Sequence, residues 1–176
     1  MTDRSLESRF LDLIDRHGAA VSRVSRAYAF TEEDRSDLVQ EIHLALWRAL
    51  PRFRGDADPF TWFYRVALNT AIGWSRRYLR GRRRRCPLTA IDDRPSTDLD
   101  SMETTLRREA VDRLYAAIRS LSPDDAAVIL LTLEDSTYRQ ISEILGISEN
   151  HVGVKLHRAK QELRLLLSKE TADGLS

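Results

Sequence analysis

The chain has 176 residues, a hydrophobic fraction of 42% and 28 Lys and Arg against 27 Asp and Glu, for a formal net charge of +1. That length holds one good core or two small ones, and the apolar content is ordinary for a globular protein. A single cysteine, Cys86, excludes an intrachain disulfide, and with four scattered histidines it offers no metal-ligand spacing.

The opening MTDRSLESRF has no hydrophobic signal core, and no apolar run approaches the roughly 20 residues that span a bilayer. The expectation is a cytoplasmic chain in a reducing compartment, with no direct membrane insertion. Phe10, Leu11, Leu13, Ile14, Val21, Val24 and Tyr28 recur at helical spacing, with Gly18 as an expected break or kink, giving one or two opening helices. Thr31 before Glu32, Glu33 and Asp34 reads as a helix start: the hydroxyl caps a free N–H and the acids face the positive end of the dipole. Leu38, Ile42, Ala45, Leu46, Ala49 and Leu50 form the stripe of that helix, and Pro51 ends it.

Residues 52 to 59, RFRGDADP, carry turn formers and predict a loop. From Phe60 to Arg85 the chain then reads FTWFYRVALNTAIGWSRRYLRGRRRR, with eight arginines, six aromatic residues and no Asp or Glu. Single-stranded nucleic acid calls for this combination, because phosphates attract cations and unpaired bases stack on flat side chains for roughly 1–3 kcal/mol each. Positions 60, 63, 64, 67, 68, 71 and 72 make a buried stripe, leaving Trp62, Arg65, Asn69, Gly73, Arg76, Arg77 and Arg80 on the other face. Trp74 and Tyr78 add two more rings. Taken alone, the arginine run also fits a solvated face or a disordered tail, and the aromatics also fit a core.

Residues 86 to 105 lose periodicity and gain Pro, Ser, Thr and Asp, as a flexible linker does. Extended, 20 residues reach about 66 Å, enough to hold two domains on separated DNA sites. A second helical set is expected from Leu106. Ser122-Pro123-Asp124-Asp125 supplies an N-cap, a Pro at the first helical position and first-turn acids, and Thr137 with Gln140 matches a capping box. Tyr138 to Lys160, YRQISEILGISENHVGVKLHRAK, reads as a helix-turn-helix: a short helix, a turn at Gly146-Ile147-Ser148, and a second helix from Glu149. Its outward face carries Asn150, His151, Lys155, His157, Arg158 and Lys160, polar groups for base edges and cations for phosphates. A plain helical hairpin remains the other reading of that pattern.

The stretch DLVQEIHLALWRALPRFRGDADPFTWFYRVALNTAIGWSRRYLRGRRR resembles region 2 of bacterial extracytoplasmic-function sigma factors, and LSPDDAAVILLTLEDSTYRQISEILGISENHVGVKLHRAKQEL resembles their region 4. The resemblance implies an all-α fold of two small helical domains: residues 1–85 as region 2, 86–105 as linker, 106–170 as region 4 and 171–176 as a tail. It also implies a non-enzymatic promoter-recognition subunit of RNA polymerase, without cofactor, catalytic residue or metal. On that basis Asp37, Gln40 and Glu41 match the polar face that grips the polymerase core, although they equally suit a helix start. The helix from Phe60 matches the element that captures and opens the minus-ten region, with Trp62, Arg65, Asn69, Trp74, Arg76, Arg77, Tyr78 and Arg80 as candidates. The second helix of the helix-turn-helix is implied to read the minus-thirty-five element through Asn150, His151, Gly153, Val154, Lys155, His157, Arg158 and Lys160.

The expected partners are the RNA polymerase core, promoter DNA and an anti-sigma factor, which in this family wedges between the two domains. A stress or envelope signal is the expected inducer. A free-standing helix-turn-helix regulator that binds duplex DNA explains only the second half of the chain, and an RNA-binding adaptor only the arginines. Cys86 beside a cationic run could be a low-pKa thiol but reads equally as an incidental linker residue. Where many family members carry Thr-Val-Arg-Ser-Arg, this chain has His151-Val152-Gly153-Val154-Lys155. Gly153 costs about 1 kcal/mol of helix stability relative to Ala and leaves room for close backbone approach to DNA. A Gly153→Ala variant is therefore expected to change duplex affinity or base preference in a gel-shift titration; unchanged affinity and specificity would remove that role.

Overall fold

The computed structural model describes residues 2–85 and 102–173, and the seven α-helices that follow account for most of them. Helix α1 spans Thr2–Tyr28, α2 Glu32–Ala49 and α3 Pro59–Arg85, with a 3₁₀ turn at Leu50–Arg52; the second half folds as α4 Met102–Ser120, α5 Pro123–Leu133, α6 Tyr138–Leu145 and α7 Glu149–Asp173. Among the described residues there is no strand, in line with the expected all-α class.

The predicted starts form as local chemistry dictates. The Asp34 amide donates to Thr31 Oγ1 at 3.0 Å while the Thr31 amide donates to Asp34 Oδ2 at 3.2 Å, closing a capping box on α2. Thr137 and Gln140 close another on α6, at 3.2 and 2.9 Å. Asp58 takes the Thr61 amide at 3.1 Å and so opens α3, whose first residue is Pro59.

Three expectations are corrected. First, α1 runs unbroken through Gly18, because Leu13 on one side and Ala20, Val21 and Val24 on the other are buried, and packing outweighs the roughly 1 kcal/mol propensity cost of one glycine. Second, Met102 to Thr105 are already helical, so four of the twenty residues assigned to the linker belong to α4; residues 86 to 101, with Cys86, lie outside the described ones. Third, the backbone stays helical through the arginine run to Arg85, against its reading as a disordered tail.

The first unit buries Val21, Val24 and Tyr28 of α1, Leu38, Ile42 and Leu46 of α2, and Phe63, Tyr64 and Leu68 of α3. The second buries Ile118, Val128, Leu131, Ile141, Ile144, Val152 and Leu156. These apolar groups join into one continuous core: α3 packs on α5 and α6, and α1 on α4 and α5. The two units are thus docked together in place of being held apart.

Truncating a fully buried side chain costs its transfer energy plus a cavity, whereas an exposed one costs little. Leu46→Ala is expected to lose about 2–5 kcal/mol in a urea titration, and Leu11→Ala, at a position 60% exposed, less than about 0.5 kcal/mol.

Candidate nucleic-acid interface

The phase of α3 decides what this helix shows to solvent. With Phe63, Tyr64, Ala67, Leu68, Ala71 and Ile72 buried, the exposed side chains include Arg65, Asn69, Arg76, Arg77 and Arg80, and the absence of acids along the helix leaves this surface cationic. The rings behave differently from the expectation. Trp62 is half-buried and stacked on Phe53 of the preceding loop, with centroids 4.7 Å apart. Trp74 stacks on Tyr78 at 5.1 Å, and Tyr78 on Phe30 at 4.9 Å. Trp74, Tyr78 and Phe30 thus form a ladder, and Trp62 has one face covered by Phe53, so the rings are already partly occupied by one another.

Between α2 and α3 lies an open groove of about 350 Å³ lined by Glu41, Leu44, Arg48, Asn69, Gly73 and Arg77 among others. An ion pair from Arg77 to Glu41 bridges its walls. The structure therefore brings Glu41, a candidate for polymerase contact, together with two candidates for DNA contact. Asp37 and Gln40 stand exposed on α2, and Leu44, 46% exposed, continues their face one turn on. Leu44 was not anticipated; its signal was an apolar side chain three and four positions after Glu41 and Gln40 on a helix whose buried stripe is elsewhere.

In the second unit, Gly146 adopts φ 68° and ψ 33° at the end of α6, a left-handed geometry that glycine enters without a Cβ clash. Its amide and that of Ile147 donate to the Ser142 carbonyl at 2.9 and 3.2 Å. Ser148 then caps α7, accepting from the His151 amide at 3.3 Å, and Val152, Leu156 and Ala159 face inward. Asn150, His151, Val154, His157, Arg158 and Lys160 are exposed, with Val154 at 69%.

Lys155 is the exception. Its side chain is only 17% exposed and its Nζ lies 3.2 Å from Oδ1 of the buried Asp125, while Arg158 reaches the same carboxylate at 2.6 and 2.9 Å. The expectation that Lys155 points freely outward is corrected, because a buried carboxylate at the start of α5 draws it in. Arg158 keeps most of its surface and can serve both purposes. Burial pushes the Asp125 carboxyl upward, but hydrogen bonds from Ser122, Arg158 and Lys155 outweigh it and leave the pKa lowered. At Gly153, an added Cβ would sit 3.5 Å from the Tyr138 ring, an ordinary contact. Alanine therefore fits there without a clash, and its effect on the free chain is limited to the helix-propensity gain of about 1 kcal/mol.

Two candidates for minus-ten contact already hold partners in the other unit: Arg65 donates to the Glu143 carbonyl of α6, and Arg76 lies 3.2 Å from Asp124 of α5. Among the described residues no group of His, Cys, Asp or Glu is placed to hold a metal, and no helix is long and apolar enough to cross a membrane.

Residues 13–85 match the sigma-70 region 2 family and residues 112–163 the sigma-70 region 4 family. An ECF RNA polymerase sigma-E factor of Escherichia coli strain K12 is 30% identical over 74% of this chain and 72% of its own length. The ECF RNA polymerase sigma factor SigE of Mycolicibacterium smegmatis is 29% identical over 92% of this chain, which spans 63% of that relative's length. The fold is also similar to that of the sigma factor RpoE in complex with the anti-sigma factor NepR from Bartonella quintana, with a TM-score of 0.68 at 17% identity over 94% of this chain and 98% of that one.

Since the Asp125 pKa is lowered on folding, its ion pairs contribute stability that is fully present above the ordinary value of 3.8 and is lost as pH falls below it. Asp125→Asn is expected to lose about 1–3 kcal/mol at neutral pH and to flatten the acid limb of stability, read by urea unfolding on both sides of that value.

Proposed function

The chain belongs to the extracytoplasmic-function sigma factors of RNA polymerase, and we propose that it initiates transcription by placing the exposed row of α3 on an opened minus-ten strand and the outer face of α7 on minus-thirty-five duplex. One observation carries the division of labour: the helix that matches region 2 buries one stripe and turns Arg65, Asn69, Arg76 and Arg80 outward with no acid among them. Cations hold phosphates without sequence preference, while the Asn69 amide both donates and accepts and can read a base edge. Trp74, stacked on Tyr78, and Tyr78, stacked in turn on Phe30, offer an edge beside the strand path. On α7, Asn150, His151 and Val154 stand early for bases, Val154 suiting a thymine methyl, and His157, Arg158 and Lys160 follow for the backbone.

The polymerase core is assigned to the face of α2 bearing Asp37, Gln40, Glu41 and Leu44. A protein of this kind acts without catalysis of its own: free energy of base capture offsets part of the unpairing cost. Residence in the cytosol follows from that role, and induction by stress or an envelope signal is part of the same reading. The Bartonella quintana sigma factor of similar fold is bound by an anti-sigma factor, which supports a partner of that kind here.

The chain is expected to co-purify with core polymerase and to support run-off transcription from its promoter. Failure to bind core would favour a free-standing duplex binder. Asn69→Ala should retain core binding and lower run-off product by about tenfold, the loss of one good base contact, whereas Asp37→Ala with Gln40→Ala should weaken core binding itself, measured by pull-down.

A further inference from the structure

Asp125 is a buried carboxylate with more donors around it than its place at a helix start requires. Ser122, the N-cap of α5, accepts from the Asp125 amide at 3.2 Å and donates its hydroxyl to Asp125 Oδ2 at 2.7 Å, so the local cap already fixes the side chain. From α7, Lys155 Nζ donates to Oδ1 at 3.2 Å, and Arg158 Nη2 donates to Oδ1 at 2.9 Å and to Oδ2 at 2.6 Å. These donors saturate the two oxygens, and Asp125 is only 2% exposed.

The two cations are not held alike. Lys155 and Arg158 lie one turn apart, which puts both on the side of α7 that faces α5. Lys155 has 17% of its side chain exposed, whereas Arg158 has 61%. Arg158 gives the carboxylate a single nitrogen, Nη2, and the Nε and Nη1 N–H groups of its planar fork remain for a second acceptor. Lys155 reaches solvent only by leaving a buried charge with one partner fewer, which is costly away from water. The carboxylate therefore removes one cation from the outer surface of α7 and orients the other.

We propose that Asp125 is a positioning residue that limits how strongly α7 grips duplex DNA regardless of sequence: it withdraws Lys155 from the phosphates and presents the Nε and Nη1 edge of Arg158 to them. Each added phosphate contact raises affinity for every sequence alike, while discrimination among bases comes from contacts to their edges. A free Lys155 beside Arg158 would strengthen the first without adding to the second. With Lys155 withdrawn, Asn150, His151 and Val154, exposed on the same helix, account for a larger share of the total binding. This inference rests on the proposed placement of the outer face of α7 on duplex DNA.

The test is an anisotropy titration of the full chain with a fluorescent random-sequence duplex of about 20 base pairs, repeated between about 50 and about 200 mM salt. The slope of log K against log salt counts phosphate contacts, at about 0.9 for each. Lys155→Met, which keeps an apolar stem, should leave the slope unchanged, because Lys155 makes no phosphate contact. Asp125→Asn should steepen it by about 0.9, so that the affinity lost over that salt range grows by a further factor of about 3.5. Combining Asp125→Asn with Lys155→Met should return the slope to that of the parent chain. Arg158→Ala should flatten it by about 0.9.

A slope flattened by Lys155→Met alone overturns the proposal, since Lys155 would then already lie on a phosphate. So does an unchanged slope in an Asp125→Asn chain whose helix content is kept by circular dichroism, or a steepening that survives Lys155→Met and so comes from the lost negative charge. Should Asp125→Asn lose helix content, Lys155→Met decides by itself, an unchanged slope supporting the proposal and a flattened one overturning it. If Arg158→Ala leaves the slope unchanged, the placement of α7 on duplex fails and this inference with it. If Arg158→Ala flattens the slope and Asp125→Asn does not steepen it, only the role of Asp125 fails.

Discussion

One helix sets the terms for the whole molecule. Along α3 the buried stripe from Phe63 to Ile72 repeats with the 3.6-residue period, and burying it fixes the rotation of the helix about its own axis. A rotation that turned Asn69 or Arg76 inward would place an unpaired polar group in the core at a cost of several kcal/mol. The cationic row therefore has only one place to be. The groove against α2, the aromatic ladder to Phe30 and the docking of α6 all take their positions from that rotation.

Much of this was legible in the sequence because it is local. The caps at Thr31, Ser122 and Thr137 satisfy amides three residues away, and the stripes of α2, α3 and α7 follow from spacing alone. The parts that were not legible depend on residues distant in the chain. Trp62 looked like an open platform because its place on the helix wheel is outside the stripe, but Phe53 from the loop covers one face. Lys155 looked like a phosphate contact, yet a carboxylate thirty residues earlier claims it. Gly18 looked like a break because propensity is a weak local preference that packing on both sides overrides. The docking of the two units left no trace in periodicity, since its pairs join Arg23 to Glu134 and Arg26 to Asp112 across more than eighty residues.

The formal charge of +1 conceals the chemistry that organises the chain. Positive charge gathers on α3 and on one side of α1, and the acids that balance it include Asp112, Asp124 and Glu134 of the second unit. The same complementarity that makes α3 a surface for a polyanion makes it a surface for region 4. At Asp125 the same principle works within a unit, where a buried acid holds Lys155 in place and orients Arg158 at the rim of the exposed face of α7.

The account stands on the claim that α3 captures a melted strand after polymerase has been engaged. Permanganate, which oxidises unstacked thymines, reports this directly on promoter DNA carrying core polymerase and the chain. The account predicts reactive thymines within the minus-ten region when both are present and none with either alone. Reactivity independent of core polymerase, or protection of a symmetric duplex site with no unstacked thymine, would contradict it.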